Sequence, residues 1–179
     1  MRVVVDACVL FPAVLREIVT GVAARGGFQP LWSARILAEW QRAAVRLGPE
    51  GAAQASADIA RLRTRWPQAE IAADPALEAR LALPDPADAH VLATAITGGA
   101  ARIMTLNLRD FPSRALAPEG VVAEAPDTLL MALWLERPAL VAHAVAEAQA
   151  HTEAVSGRPQ PLRPLLRRAR LPRLGKALE

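Results

Sequence analysis

Three consecutive valines, Val3, Val4 and Val5, run straight into an acid, Asp6. A short unbroken β-branched run bounded by a polar residue reads as a strand buried on both faces, the condition of a parallel sheet covered by helices. Further strands are predicted at residues 28–32, 102–105 and 121–123. Between them lie helical patterns at residues 12–24, 34–47, 51–65, 76–83 and 84–98, and two more follow at 126–134 and 138–153. Ser33 is placed to cap the second of these helices, and Asp85 to cap the fifth, with Pro86 at its first helical position. Glycine pairs stop two of them, Gly26-Gly27 and Gly98-Gly99. Strands alternating with helices, joined by connections long enough for crossovers, predict an α/β, three-layer fold with a mainly parallel central sheet flanked by helices.

The chain has 179 residues, the size of one domain with an appendage. Hydrophobic residues make up 53% and charged residues 22%, enough for a full core, so global disorder is excluded. No run of about 18 uncharged apolar residues occurs, so no membrane span is expected. Three valines before an acid are too few for the apolar region of a signal peptide, and a cytoplasmic location is expected. A single cysteine, Cys8, excludes an internal disulfide framework and a Cys-rich zinc site. The charge is uneven. Residues 156–179 carry seven basic side chains and one acid, which leaves 14 basic and 17 acidic residues, a formal −3, for residues 1–155. An acidic body with a basic tail points to contact with a polyanion, most simply nucleic acid, or to a solvated tail.

In parallel α/β sheets, ligands bind beyond the carboxyl ends of the strands. Asp6 follows the first strand, and a loop holding Asn107 and Asp110 follows the third. Glu39 sits in the second turn of its helix and Asp88 in the first turn of another. Helices that return along such a sheet start at its carboxyl edge, so Glu39 and Asp88 can reach Asp6 and Asp110. Crowded carboxylates repel one another unless a counter-charge joins them. A divalent cation does so, and all-oxygen ligands suit Mg2+ or Mn2+. That chemistry points to phosphoryl transfer. Each acid also has a bland reading: helix capping for Asp85 and Asp88, solvation for Glu39, a turn before Phe111-Pro112 for Asp110. Asp6 resists one, because an acid after a buried strand costs stability unless it is paired or liganded. Asn107 reads as a turn former or as a support for the ligands.

Other chemistries fit less well. A phosphatase of the haloacid-dehalogenase type needs a second acid two residues after the first, and Asp6 is followed by Ala7-Cys8. No Gly-rich phosphate loop occurs. His90 reads as a surface residue or a support for the acids, and Cys8 as a small buried hydrophobe. Trp32, Trp40, Trp66 and Trp134 read as core or interface groups.

Four segments together resemble the PIN-domain nucleases, in the branch of VapC-like toxins. They are Val3-Val4-Val5-Asp6-Ala7-Cys8-Val9-Leu10, Leu31-Trp32-Ser33-Ala34-Arg35-Ile36-Leu37-Ala38-Glu39-Trp40, Leu83-Pro84-Asp85-Pro86-Ala87-Asp88-Ala89-His90-Val91-Leu92-Ala93 and Ile103-Met104-Thr105-Leu106-Asn107-Leu108-Arg109-Asp110-Phe111-Pro112. The resemblance implies a PIN-like domain over residues 1–135, followed by a C-terminal helix at 136–155 and a basic Arg/Pro-rich tail at 156–179. It implies a metal-dependent endoribonuclease in which Asp6, Glu39, Asp88 and Asp110 hold Mg2+ or Mn2+. Thr105, Asn107 and Asp85 would support them. Water would cleave an RNA phosphodiester to a 5′-phosphate and a 3′-hydroxyl. It further implies a homodimer and, for a toxin, an antitoxin partner. The chain departs from the compact family domain at its carboxyl end. There Arg163, Arg167, Arg168 and Arg170 are candidates for RNA phosphates, while Leu162, Leu165, Leu166, Leu171 and Leu174 would suit a protein partner or a dimer mate. A PIN fold that binds nucleic acid or regulates, with little catalysis, is the alternative.

Overall fold

The computed structural model describes residues 1–178. The chain divides into two compact units, one of Met1–Phe11 with Gln29–Glu124, the other of Pro12–Phe28 with the chain from Ala125 on. In chain order the elements are β1 (Arg2–Val5), α1 (Ala7–Leu10), α2 (Ala13–Ala24), β2 (Gln29–Ser33), α3 (Ala34–Val45), α4 (Pro49–Arg65), β3 (Glu70–Ile71) and α5 (Pro75–Glu78). There follow α6 (Ala89–Thr97), β4 (Arg102–Met104), α7 (Ser113–Leu116), β5 (Val122–Glu124), α8 (Pro126–Glu136), α9 (Pro138–Ser156), α10 (Leu162–Arg168) and α11 (Pro172–Ala177).

The first unit holds a five-stranded sheet in the order β3-β2-β1-β4-β5, parallel at every pairing. The α/β class and parallel sheet are those that the alternating pattern predicts. Central β1 pairs Val4 with Leu31 on one side and with Ile103 on the other. All three valines are buried, which a strand hydrogen-bonded on both edges requires. The chain builds outward from β1 first to β2 and β3, then to β4 and β5. The strand order therefore reverses at β1, and the crevice of such a sheet opens beyond the carboxyl ends of β1 and its neighbours.

Local chemistry fixes the elements next to that edge. Ser33 caps α3 as expected, its hydroxyl accepting from Ile36 N at 3.3 Å. Its helix buries Ile36, Leu37 and Trp40 on one face and leaves Arg35 and Arg42 outside. Behind the sheet's end, Trp32 packs edge-on against Trp66, with ring centroids 6.1 Å apart. Gly98 closes α6 where a Cβ would meet Leu31 Cδ1 at 2.7 Å and Thr94 O at 2.9 Å, so no larger residue fits the helix end against β2.

Several local features differ from the sequence expectation, among them the unforeseen strand β3 and the helix expected at 76–83, which is only Pro75–Glu78. A one-turn helix, α1, follows Asp6, whose carbonyl accepts from Val9 N and Leu10 N. The expected helix at 84–98 is broken in two: Pro86–Asp88 forms a 3-10 turn and α6 starts only at Ala89. Asp85 still caps, its Oδ1 accepting from Ala87 N at 2.8 Å. The residues after 156, where repeated prolines break the apolar pattern, form two short helices, with Leu165, Leu166, Leu171 and Leu174 buried.

In the second unit α2 packs on α9, and α11 packs on α8 and α10. Arg25 pairs with Glu147, and His151 Nδ1 lies 2.8 Å from Glu17. Buried Asp127, in the first turn of α8, fastens α11. Its Oδ2 accepts from Arg173 N and its Oδ1 from Leu174 N, each at 3.0 Å, satisfying two donors at a helix start that no local side chain caps. Replacing Asp127 with Ala orphans both and is expected to lower stability by about 1–3 kcal/mol in urea denaturation, with Asp127→Asn losing less.

Candidate active site

The site is built at the carboxyl edge of β1 and β4. Asp6 N donates to Met104 O at 3.1 Å, continuing the ladder between the two strands one residue past β1. Asp6 holds an extended backbone at the position before α1, yet its side chain caps nothing there. Instead Thr105 Oγ1, fully buried just past β4, donates to Asp6 Oδ2 at 2.7 Å. Thr105 Oγ1 in turn accepts from Asn107 N at 3.0 Å. The same Asp6 oxygen accepts from the Cys8 thiol at 3.1 Å, and the Cys8 sulfur accepts from Leu106 N at 3.2 Å. One carboxylate is thus oriented from both strand ends, which meets the cost of burying an acid after an apolar strand. Burial, and next the Asp6 charge, push the Cys8 thiol up to about 12, so it stays protonated as a hydrogen-bond donor to Asp6 and is no nucleophile at neutral pH.

Two further acids stand in opposite electrostatic environments. Burial alone would raise the Glu39 carboxyl, but His90, Arg35 and Arg42 outweigh it and hold Glu39 below the usual range. Glu39 Oε1 lies 2.9 Å from His90 Nε2, 3.6 Å from Arg35 Nε and 3.8 Å from Arg42. Asp88, at the end of the 3-10 turn, goes the other way. Burial, followed by the charges of Asp6, Asp110, Asp85 and Glu39, pushes its carboxyl up to about 6. Asp110 closes the 3-10 turn Leu108–Asp110, its N donating to Asn107 O at 3.1 Å.

The structure therefore gathers Asp6, Glu39, Asp85, Asp88 and Asp110 within electrostatic reach of one carboxyl, that of Asp88. Among the described residues no three His, Cys, Asp or Glu side chains stand close enough to form a ready-made metal cage. Thr105 bonds Asp6 directly, Asn107 reaches it only through its backbone N–H to Thr105 Oγ1, and Asp85 is an exposed cap. The arginines of the tail, Arg163, Arg167, Arg168 and Arg170, are exposed in the second unit.

Three residues acquire roles that their sequence context hid. Cys8 is half-buried and hydrogen-bonded, not a plain hydrophobe. His90 is buried, and neither ring nitrogen makes a hydrogen bond of good geometry. Nε2 lies 2.9 Å from Glu39 Oε1. Arg35 reaches three segments at once. The signal for His90 was its spacing: it follows Asp88 by two residues and heads the apolar face of α6.

A parallel α/β sheet with carboxylates at its switch point defines a class of domain that binds its ligand at that edge. The family model for the PIN domain matches residues 2–109, and the chain belongs to the PIN-domain nuclease family. The match takes in Asp6, Glu39, Asp85, Asp88, Thr105 and Asn107 and stops one residue before Asp110. No curated protein and no solved structure matches the chain.

The Asp88 environment gives a signed pH dependence. Its carboxyl titrates about 6 in the fold against an ordinary 3.8, so the folded chain holds this proton more tightly than the unfolded chain. Stability from this group is present below the ordinary value and is lost as pH rises through about 6. In metal-free protein, Asp88→Asn is expected to raise the melting temperature at about pH 7.5, roughly half as much at about pH 5, and hardly at all below the ordinary value. The gain is on the order of 1 kcal/mol, discounted for the group's solvent exposure.

Proposed function

We propose that the chain is a divalent-metal-dependent endoribonuclease that hydrolyses RNA phosphodiester bonds. Asp6, Glu39, Asp88 and Asp110 would hold Mg2+ or Mn2+. The observation that carries this reading is Asp88, whose carboxyl is raised to about 6 beside four other carboxylates. Such repulsion costs stability unless a cation offsets it, and the all-oxygen donor set suits a hard one. Mg2+ keeps several of its waters and takes only one or two carboxylates directly. When bound, such an ion activates water and stabilises the departing oxygen of a phosphodiester, leaving a 5′-phosphate and a 3′-hydroxyl.

The chain's own residues have separable tasks. Thr105 and Cys8 fix the rotation of Asp6 by donating to one oxygen, which leaves its other oxygen outside that pair of bonds. His90, Arg35 and Arg42 keep Glu39 charged. Asp88 gives up its proton when positive charge arrives.

Likeness to the VapC-like branch supports a further assignment as the toxin of a type II toxin–antitoxin pair, with an antitoxin that covers the site and a homodimer as the working form. A cytoplasmic location goes with that assignment; no helix among the described residues is long and apolar enough to cross a membrane. A second reading, a PIN fold that binds or regulates with little catalysis, is favoured by the absence of three clustered ligands among the described residues.

Cleavage of labelled RNA with Mn2+ separates the two. Asp6→Asn and Asp88→Asn are each expected to lower cleavage on the order of 100-fold or more, since loss of a ligand's supporting partner alone costs about 10–100-fold. Unchanged cleavage in both variants supports the second reading.

We also propose that Arg163, Arg167, Arg168 and Arg170 bind RNA phosphates. Arg170 follows the end of α10 with a backbone φ of 63°, a left-handed conformation in which glycine is favoured. Arg170→Gly is expected to stabilise the protein by about 1 kcal/mol. It should also weaken RNA binding, and lower the slope of log affinity against log salt by about one. Melting curves and a salt titration check both halves.

A further inference from the structure

The guanidinium of Arg35 touches three separate segments of the first unit. Its Nη1 donates to Glu78 Oε1 in α5 at 2.7 Å. Its Nη2 donates to Ala87 O at 3.0 Å, in the 3-10 turn and one residue before Asp88. Its Nε lies 3.6 Å from Glu39 Oε1, one helical turn further along α3. A planar fork with fixed donor directions serves acceptors on three segments in a way that a flexible ammonium does not.

We infer that Arg35 is a positioning residue whose fork sets the gap between the Glu39 and Asp88 carboxylates. The inference rests on the metal-binding reading of those two acids. Within the 3-10 turn Asp85 caps from inside and Pro86 offers no N–H; the neighbouring link to α3 is His90 Nε2, two residues past Asp88 and 2.9 Å from Glu39 Oε1. The bond from Arg35 to Ala87 O crosses from the helix of Glu39 to the turn of Asp88, and Glu78 fixes the fork from its other side. Arg42, the other arginine beside Glu39, reaches that carboxylate alone at 3.8 Å and adds charge without a tether.

The test is binding of Mn2+ to the full chain, followed by the electron paramagnetic resonance signal of the free ion, beside steady-state RNA cleavage. Arg35→Gln is expected to weaken Mn2+ binding about tenfold, the scale of a lost ligand-orienting partner. It should lower kcat while leaving KM for RNA unchanged. Arg35→Lys, which keeps the charge but not the fork, should be as deficient. Glu78→Gln should show a smaller loss, and adding it to Arg35→Gln should cost nothing more, because both act through one tether. Melting temperatures without metal should change little, since exposed ion pairs contribute little to stability.

Full rescue by lysine overturns the inference, as does wild-type Mn2+ binding in Arg35→Gln. A loss confined to KM also overturns it, placing Arg35 on the substrate. If the wild type binds no Mn2+, the metal reading itself fails; if the wild type binds and Arg35→Gln binds equally, only the inference fails.

Discussion

Repulsion among carboxylates at one edge of a parallel sheet is the constraint around which the first unit is arranged. Asp88 bears its cost, with a carboxyl raised by burial and by four acids. Glu39 escapes it through His90, Arg35 and Arg42. Two chemically similar groups are thus pushed in opposite directions by their surroundings, a pattern that marks functional sites more often than structural ones. Asp6 is treated in a third way, oriented by Thr105 and Cys8 donating to one of its oxygens. A fold that spends a buried threonine and a thiol on Asp6 and a buried histidine on Glu39 is holding two neighbouring acids for use.

The topology makes this arrangement cheap in sequence terms. With β1 central and the strand order reversing on it, the residues that follow β1 and β4 are brought side by side by ladder hydrogen bonds alone. Asp6 and Thr105 then need only the right side chains to meet across 99 residues of chain. Glu39 and Asp88 come from helices, so their mutual distance is not fixed by the sheet. That is where a tether such as Arg35 has a task.

Much of this was legible in the residues because its causes are local. Val3, Val4 and Val5 announce a buried strand, and Asp6 its end. Ser33 and Asp85 announce caps, and both make them. What stayed hidden depends on short elements or distant partners. The strand Glu70–Ile71 is two residues long, too short for any period. The turn of helix after Asp6 is equally brief. The prolines of the tail look like breakers, yet Pro172 opens a helix whose first donors are satisfied by Asp127, 46 residues away. His90 looked like a surface or supporting group because its burial comes from packing, not from its neighbours in sequence. The roles of Cys8 and Arg35 likewise rest on contacts across 98 and 52 residues, to Leu106 N and Ala87 O.

The central claim is that a divalent cation displaces the proton that crowding leaves on Asp88. Calorimetric titration with Mn2+ near pH 6, repeated in two buffers of different ionisation heat, counts that proton directly. The account predicts release of about half a proton per site, fading by about pH 7.5 and absent in Asp88→Asn. Binding with no proton release, or with equal release in the variant, would contradict it.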